Sequence, residues 1–114
     1  MKRIVLLTML LFVSSCATNV VPVTKDKLTP YQGTVSVYRS ESEAPAGYVV
    51  IAAITHYDWG KYRHLTIDDA IPILQEKAQA QGANAIIIDS CKTVYSGIFS
   101  RGIDVTARAI LIKQ

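Results

Sequence analysis

Residues 77–95 read KAQAQGANAIIIDSCKTVY, and they decide the fold. The stretch reads as the end of a helix, a glycine stop, a buried strand and then a cysteine. Gly82 closes the helix because the left-handed closing position suits a residue without Cβ. The strand that follows alternates, with Ile86 and Ile88 on one face and Ala85, Ile87 and Asp89 on the other.

Working outward, the helix begins near Thr66. Thr66 with Asp69 three residues on forms a capping-box start, and Asp68 and Asp69 suit the positive helix end. Ile67, Ala70, Ile71, Leu74 and Ala78 recur at helical spacing, while Gln75, Glu76, Gln79 and Gln81 face away. Pro72 removes a backbone donor inside this pattern. The expectation is therefore a frayed or 3₁₀ first turn and a regular helix from about Ala70. Downstream, SGIFSRG reads as a loop. IDVTARAILIK reads as a last strand with Ile103, Val105, Ala107, Ala109 and Leu111 on one face.

Upstream, GTVSVYR (33–39) alternates as a half-buried strand, with Val35 and Val37 on one side. SESEAPAG (40–47) is a turn cluster. YVVIAAITH (48–56) is an apolar, β-branched run of strand length, as in a central strand. The order is β-β-α-β-β over residues 33–114. That order implies a small α+β domain, a four-stranded antiparallel or mixed sheet with one helix packed on one face. Such a domain has a thin core, so docking or self-association is a natural source of added stability.

The N-terminus has another logic. MKRIVLLTMLLFVSSC places Lys2 and Arg3 before an apolar segment from Ile4 to Val13 and small residues before Cys16, the layout of an export signal. The segment is too short to span a bilayer as a helix, which takes about 20 residues. Val13-Ser14-Ser15-Cys16 resembles the lipobox of bacterial lipoproteins. The resemblance implies cleavage after Ser15, removing residues 1–15, and acylation of Cys16, the membrane contact of the mature chain. Two or more acyl chains are what stable anchoring requires. In a Gram-negative host, Ala17 rather than Asp after the cysteine implies the outer membrane, with the domain facing the periplasm. Residues 16–32 then form the lipidated cysteine and a flexible tether reaching roughly 20–25 Å.

The formal charge is +3 with a pI near 9.0. Lys2 and Arg3 leave with the signal, so the basic balance points to no nucleic-acid partner. Of the two cysteines, only Cys91 remains as a thiol if Cys16 carries lipid. No intramolecular disulfide can then form.

The segment KAQAQGANAIIIDSCKTVYSG resembles the helix-to-strand segment of the RcsF-type outer-membrane lipoproteins, which sense envelope stress for the Rcs phosphorelay. Ala83-Asn84-Ala85 also resembles the junction of small YbjQ-type domains, which assemble into rings. The first resemblance implies a binding or signalling module, the second a self-assembling structural or small-ligand-binding domain. The sensor family staples its domain with two disulfides from four cysteines, and this chain has none of the partners for Cys91. Cys91 reads as a buried small hydrophobe at the strand's end, with a free reactive thiol or an inter-chain pair as alternatives.

The loop HYDWGKYRHL (56–65) carries the remaining chemistry. His56, Asp58 and His64 are metal-ligand types, but without the tight spacing of a metal motif. Tyr57, Trp59 and Tyr62 stand among Lys61 and Arg63, an aromatic and basic set of the kind that anchors a partner. Those five residues are the expected contact surface, for an envelope protein or for a second copy. No nucleophile elbow or phosphate loop is present, and Asp68 and Asp69 read as helix-cap acids. The expectation is a binding protein rather than an enzyme, with no cofactor.

Overall fold

A computed structural model describes residues 16–24, 28–95 and 97–113. The expected signal segment, residues 1–15, lies outside them. Among the described residues there are five strands and one α-helix: β1 (Cys16–Pro22), β2 (Ser36–Tyr38), β3 (Val49–Asp58), α1 (Ile67–Ala80), β4 (Ala85–Tyr95) and β5 (Arg101–Leu111). A 3₁₀ turn covers Glu41–Glu43. The strands form one mixed sheet in the order β1-β3-β5-β4-β2. All neighbours are antiparallel except β2, which pairs parallel to β4 through Ser36–Tyr38. The α+β class and the single helix on one face stand, and the sheet has five strands rather than four.

The fifth strand comes from the stretch expected as a tether. Residues 16–22 pair with β3 over their whole length, from Cys16 opposite Asp58 to Pro22 opposite Ala52. Among the described side chains of β1, Val20 alone packs on the core, so this edge strand has little alternation for a sequence reading to find. Pro22 is tolerated because it ends a strand at the sheet edge. Further along, Leu28 and Tyr31 pack on the core, and the Tyr31 N–H donates to the Gln79 carbonyl at 2.9 Å. Gln75 Nε2 donates to the Val35 carbonyl at 2.8 Å. The segment before β2 is thus strapped along the helix.

α1 is regular from Ile67 through Pro72, without the frayed start expected. Asp69 Oδ2 accepts the Thr66 N–H at 2.7 Å, the reach-back half of a capping box. Ala70, Leu74 and Ala78 are fully buried. Small alanines on the helix meet Ala52, Ala107 and Ala109 on the sheet, so the helix approaches closely while Leu74 joins Ile54, Ile86 and Val105 in the centre. Each fully buried Ile or Leu here contributes about 1.5–3 kcal/mol relative to an exposed one.

The helix ends as its sequence requires. Gly82 has φ +87, its N–H donates to the Gln79 carbonyl, and the Ala83 N–H donates to the Ala78 carbonyl at 3.0 Å. These two bonds make a Schellman ending. A Cβ on Gly82 would also run into Leu28 and the Thr29 carbonyl. Asn84 then latches the C-terminus. Its Nδ2 donates to the Ile112 carbonyl at 2.8 Å, and its Oδ1 accepts the Ile112 N–H at 2.8 Å. The Asn84 backbone bonds on both sides, to Ile110 and to Ser36.

The opposite face is half covered. Ala85, Ile87 and Ile110 form a second apolar cluster beneath Tyr38, Ala44 and Tyr48. Over it, Arg108 grips Asp89 with contacts of 2.9–3.1 Å and reaches the Tyr48 hydroxyl at 3.3 Å. That hydroxyl donates to Glu41 at 2.8 Å. The Asp89 carboxylate raises the affinity of the Arg108 guanidinium for its proton.

Candidate functional site

The strand registers gather three segments at one end of the sheet. Cys16 lies opposite Asp58, Asp58 opposite Ile103, and Arg101 opposite Tyr95. The start of β1, the loop after β3 and the β4–β5 hairpin therefore share this end.

The loop after β3 is held in place. Asp58 Oδ1 accepts the Gly60 N–H at 2.9 Å, and its other oxygen lies 3.5 Å from Arg63. Gly60 has φ +90, and a Cβ there would collide with the Arg101 carbonyl. The Arg101 N–H donates to the Arg63 carbonyl, and the Leu65 N–H donates to the Arg101 carbonyl, each at 2.9 Å. Tyr62 has φ 60, a left-handed conformation that costs a non-glycine residue about 1–2 kcal/mol. Its N–H donates to the buried Ser100 hydroxyl at 2.8 Å, and its ring is 76% exposed. The loop is a ledge hydrogen-bonded to the residues that open β5.

Of the five expected contact residues, Lys61, Tyr62 and Arg63 are exposed on this ledge and Trp59 is partly covered. Tyr57 is exposed on the sheet face away from α1, beside Ala17 and Asp104 in register. His56 turns the other way. It is 2% exposed, on the helix side of the sheet, with Nδ1 2.7 Å from the Thr18 hydroxyl. Burial pushes its pKa down, and the neighbouring Asp58 opposes the shift. His64 is exposed at the loop's far end. Among the described residues, no group of three or more His, Cys, Asp or Glu side chains could hold a metal ion.

The hairpin adds Ile98 and Phe99, which were read only as loop, and Tyr95, read as the end of a strand. Ile98 is 91% exposed, Phe99 70% and Tyr95 75%. The Arg101 guanidinium lies 5.7 Å from the centre of the Tyr95 ring. With Tyr62 they make an apolar, aromatic tip with Lys61, Arg63 and Arg101 around it. A signal was there to be read, since two large apolar residues side by side between Ser and Gly have no buried face to occupy.

Cys91 is exposed, which corrects the expectation of a buried small hydrophobe. A bulge in β4 between Ile88 and Ser90 shifts the alternation by one residue. Cys91 thereby comes to the helix side at the helix's open end, in a groove of about 480 Å³ lined by Leu65, Thr66, Ile67 and Ile103. Burial and the Asp104 charge push its pKa up, which keeps it a thiol rather than a thiolate. Cys91 and His56 pair with Val105 from opposite sides. Their strands are thus two spacings apart, about 10 Å, with the Val105 side chain between, and no thiol–imidazole pair forms.

No family model matches the chain, and no curated protein matches it. The fold is similar to the crystal structure of a Francisella virulence factor, FvfA, with a TM-score of 0.58 at 16% identity, covering 82% of this chain and 96% of that one. At this identity the likeness is one of fold. Among the described residues, no helix is long and apolar enough to cross a membrane.

Proposed function

We propose that the chain is a lipid-anchored lipoprotein of the bacterial outer membrane whose periplasmic domain is a binding or signalling module, similar to the RcsF-type stress sensors. The supporting observation is positional. Cys16, the residue a lipobox would acylate, opens β1 at the same end of the sheet as the aromatic and basic ledge. In this reading the domain works by contact, not catalysis. Tyr57, Trp59, Lys61, Tyr62 and Arg63 supply the contact surface. The intact mass of the protein purified from membranes tests the anchor. Wild type is expected to carry acyl groups on a chain beginning at Cys16, and Cys16→Ser to lose them and leave the membrane fraction. A wild-type mass without acyl groups refutes the reading.

A second reading, the ring-forming domain, draws on the sheet edge. β2 covers only Ala85–Ile87 of β4, so Asp89–Tyr95 has no strand neighbour on its outer side among the described residues. Such an edge is a template for a second copy. Light scattering of the Cys16→Ser protein separates the readings, a monomer favouring the module and a closed oligomer the ring.

A further inference from the structure

We infer that the tip formed by Tyr62, Tyr95, Ile98 and Phe99 is a membrane-docking surface, seated in the phospholipid headgroup layer of the leaflet that anchors the chain. This deepens the lipoprotein reading and rests on it, because it names the occupant of part of the same end of the sheet.

Three observations converge. Four large apolar or aromatic side chains, each at least 70% exposed, stand together on two neighbouring segments. The segments are joined through Tyr62 to Ser100 and through Arg63 and Leu65 to Arg101, so the tip is a built surface and not two separate loops. Around it stand Lys61, Arg63 and Arg101, all exposed. Aromatic rings with cations beside them match the boundary between acyl chains and phosphates, where a ring's apolar body and a cation each find a partner. Second, the chain enters the domain at this end. Cys16 opposite Asp58 sets the first residue of β1 level with the base of the ledge. Residues 1–15, with their apolar run, or the acyl groups that replace them, therefore lead off from here. Third, β1 is zipped to β3 from Cys16 onward, so no free linker separates the anchor from the sheet. An anchor held so close brings the tip to the lipid surface, leaving the Cys91 groove and the β4 edge short of Tyr95 to face the periplasm.

The test uses the full chain in vesicles of phosphatidylethanolamine and phosphatidylglycerol containing lipids with a nitroxide high on the acyl chain. The protein has one tryptophan, so a single reporter can be moved. In a Trp59→Phe background, Phe99→Trp places it at the tip and Glu76→Trp places it on the exposed side of α1, toward the helix's far end. Strong quenching of the tip reporter and little of the helix reporter is expected. Adding Ile98→Ser should cut the tip quenching several-fold while leaving the protein in the membrane fraction, since removing one buried apolar side chain shifts a docking equilibrium by about tenfold. Equal quenching at the two positions overturns the inference. So does an unquenched tip whose emission shifts blue as protein density rises, which would assign the tip to a second copy. The intact mass, read on the same sample, tells separately whether Cys16 is acylated. A failed anchor and a failed tip are therefore different results.

Discussion

Replacing Asn84 tests whether the helix-to-strand junction is fastened as described. Its side chain makes two 2.8 Å bonds, donating to the Ile112 carbonyl and accepting the Ile112 N–H. Asn84 is 7% exposed, so water cannot readily substitute for either bond. Each such bond contributes about 1 kcal/mol net, and a partner left unsatisfied in a covered position costs about 1–3 kcal/mol. Ile112 is half-buried, which places both of its orphaned groups toward the lower end. Asn84→Ala should therefore cost about 2–3 kcal/mol, lowering the melting temperature by roughly 10 °C or more in a domain of this size. Asn84→Asp is the sharper probe. A carboxylate still accepts the Ile112 N–H but faces the Ile112 carbonyl with no proton to give. Protonation restores the donor, so the folded state holds the acid with a raised pKa. A group of that kind stabilises at low pH and loses that contribution as pH rises through its folded value. Asn84→Asp should then approach wild type in acid and fall below Asn84→Ala at neutral pH. Urea unfolding followed by Trp59 fluorescence measures both. A cost under about 0.5 kcal/mol for Asn84→Ala, within the range of ordinary surface changes, refutes the latch.

Two further outcomes follow from single side chains. The fold holds His56 neutral, with a pKa below the ordinary 6.5, so the unfolded chain takes up the proton first on acidification. The contribution of His56 is full above that value and is lost as pH falls below it, by at most about 1.4 kcal/mol per pH unit. The difference in unfolding midpoint between wild type and His56→Gln should shrink from about pH 7.5 to about pH 5, and parallel curves would contradict this. Cys91 should react with a maleimide in the native state, more slowly than free cysteine at the same pH, and Asp104→Asn should speed it. Modification that waits for unfolding would mean the thiol is covered.

How much of this was readable depended on how local each cause is. Gly82 and the alternation of residues 103–111 are set by neighbours in sequence, and both appear in the structure as written. Thr66 caps the helix as read, but the frayed first turn expected because of Pro72 is not seen, the helix running from Ile67 with Pro72 inside it. β1 was missed because its partner lies thirty or more residues away and, among its described side chains, Val20 is the one packed on the core. A one-residue bulge at Asp89, invisible to a period-two pattern, turns Cys91 to the helix side. The burial of Cys91 was misjudged because it lies at the helix's open end, in a groove and not under the helix. In the loop, the aromatic set was visible as composition. That His56 points into the core while Tyr62 points out depends on register with β1 and β5, which no short window contains.

The way β1 joins the sheet bears on how the domain would carry a mechanical load. β1 runs from Cys16 away from the loop end, antiparallel to β3, over seven residues. A pull on Cys16 along the strand direction loads those backbone bonds together, in shear, and not one after another as in peeling. If the strand did release, its seven residues would add about 23 Å of reach at 3.3 Å each. Were Cys16 the point of attachment, the join would act as a clutch with two lengths, holding the domain close under modest tension and lengthening in one step if the whole ladder slipped.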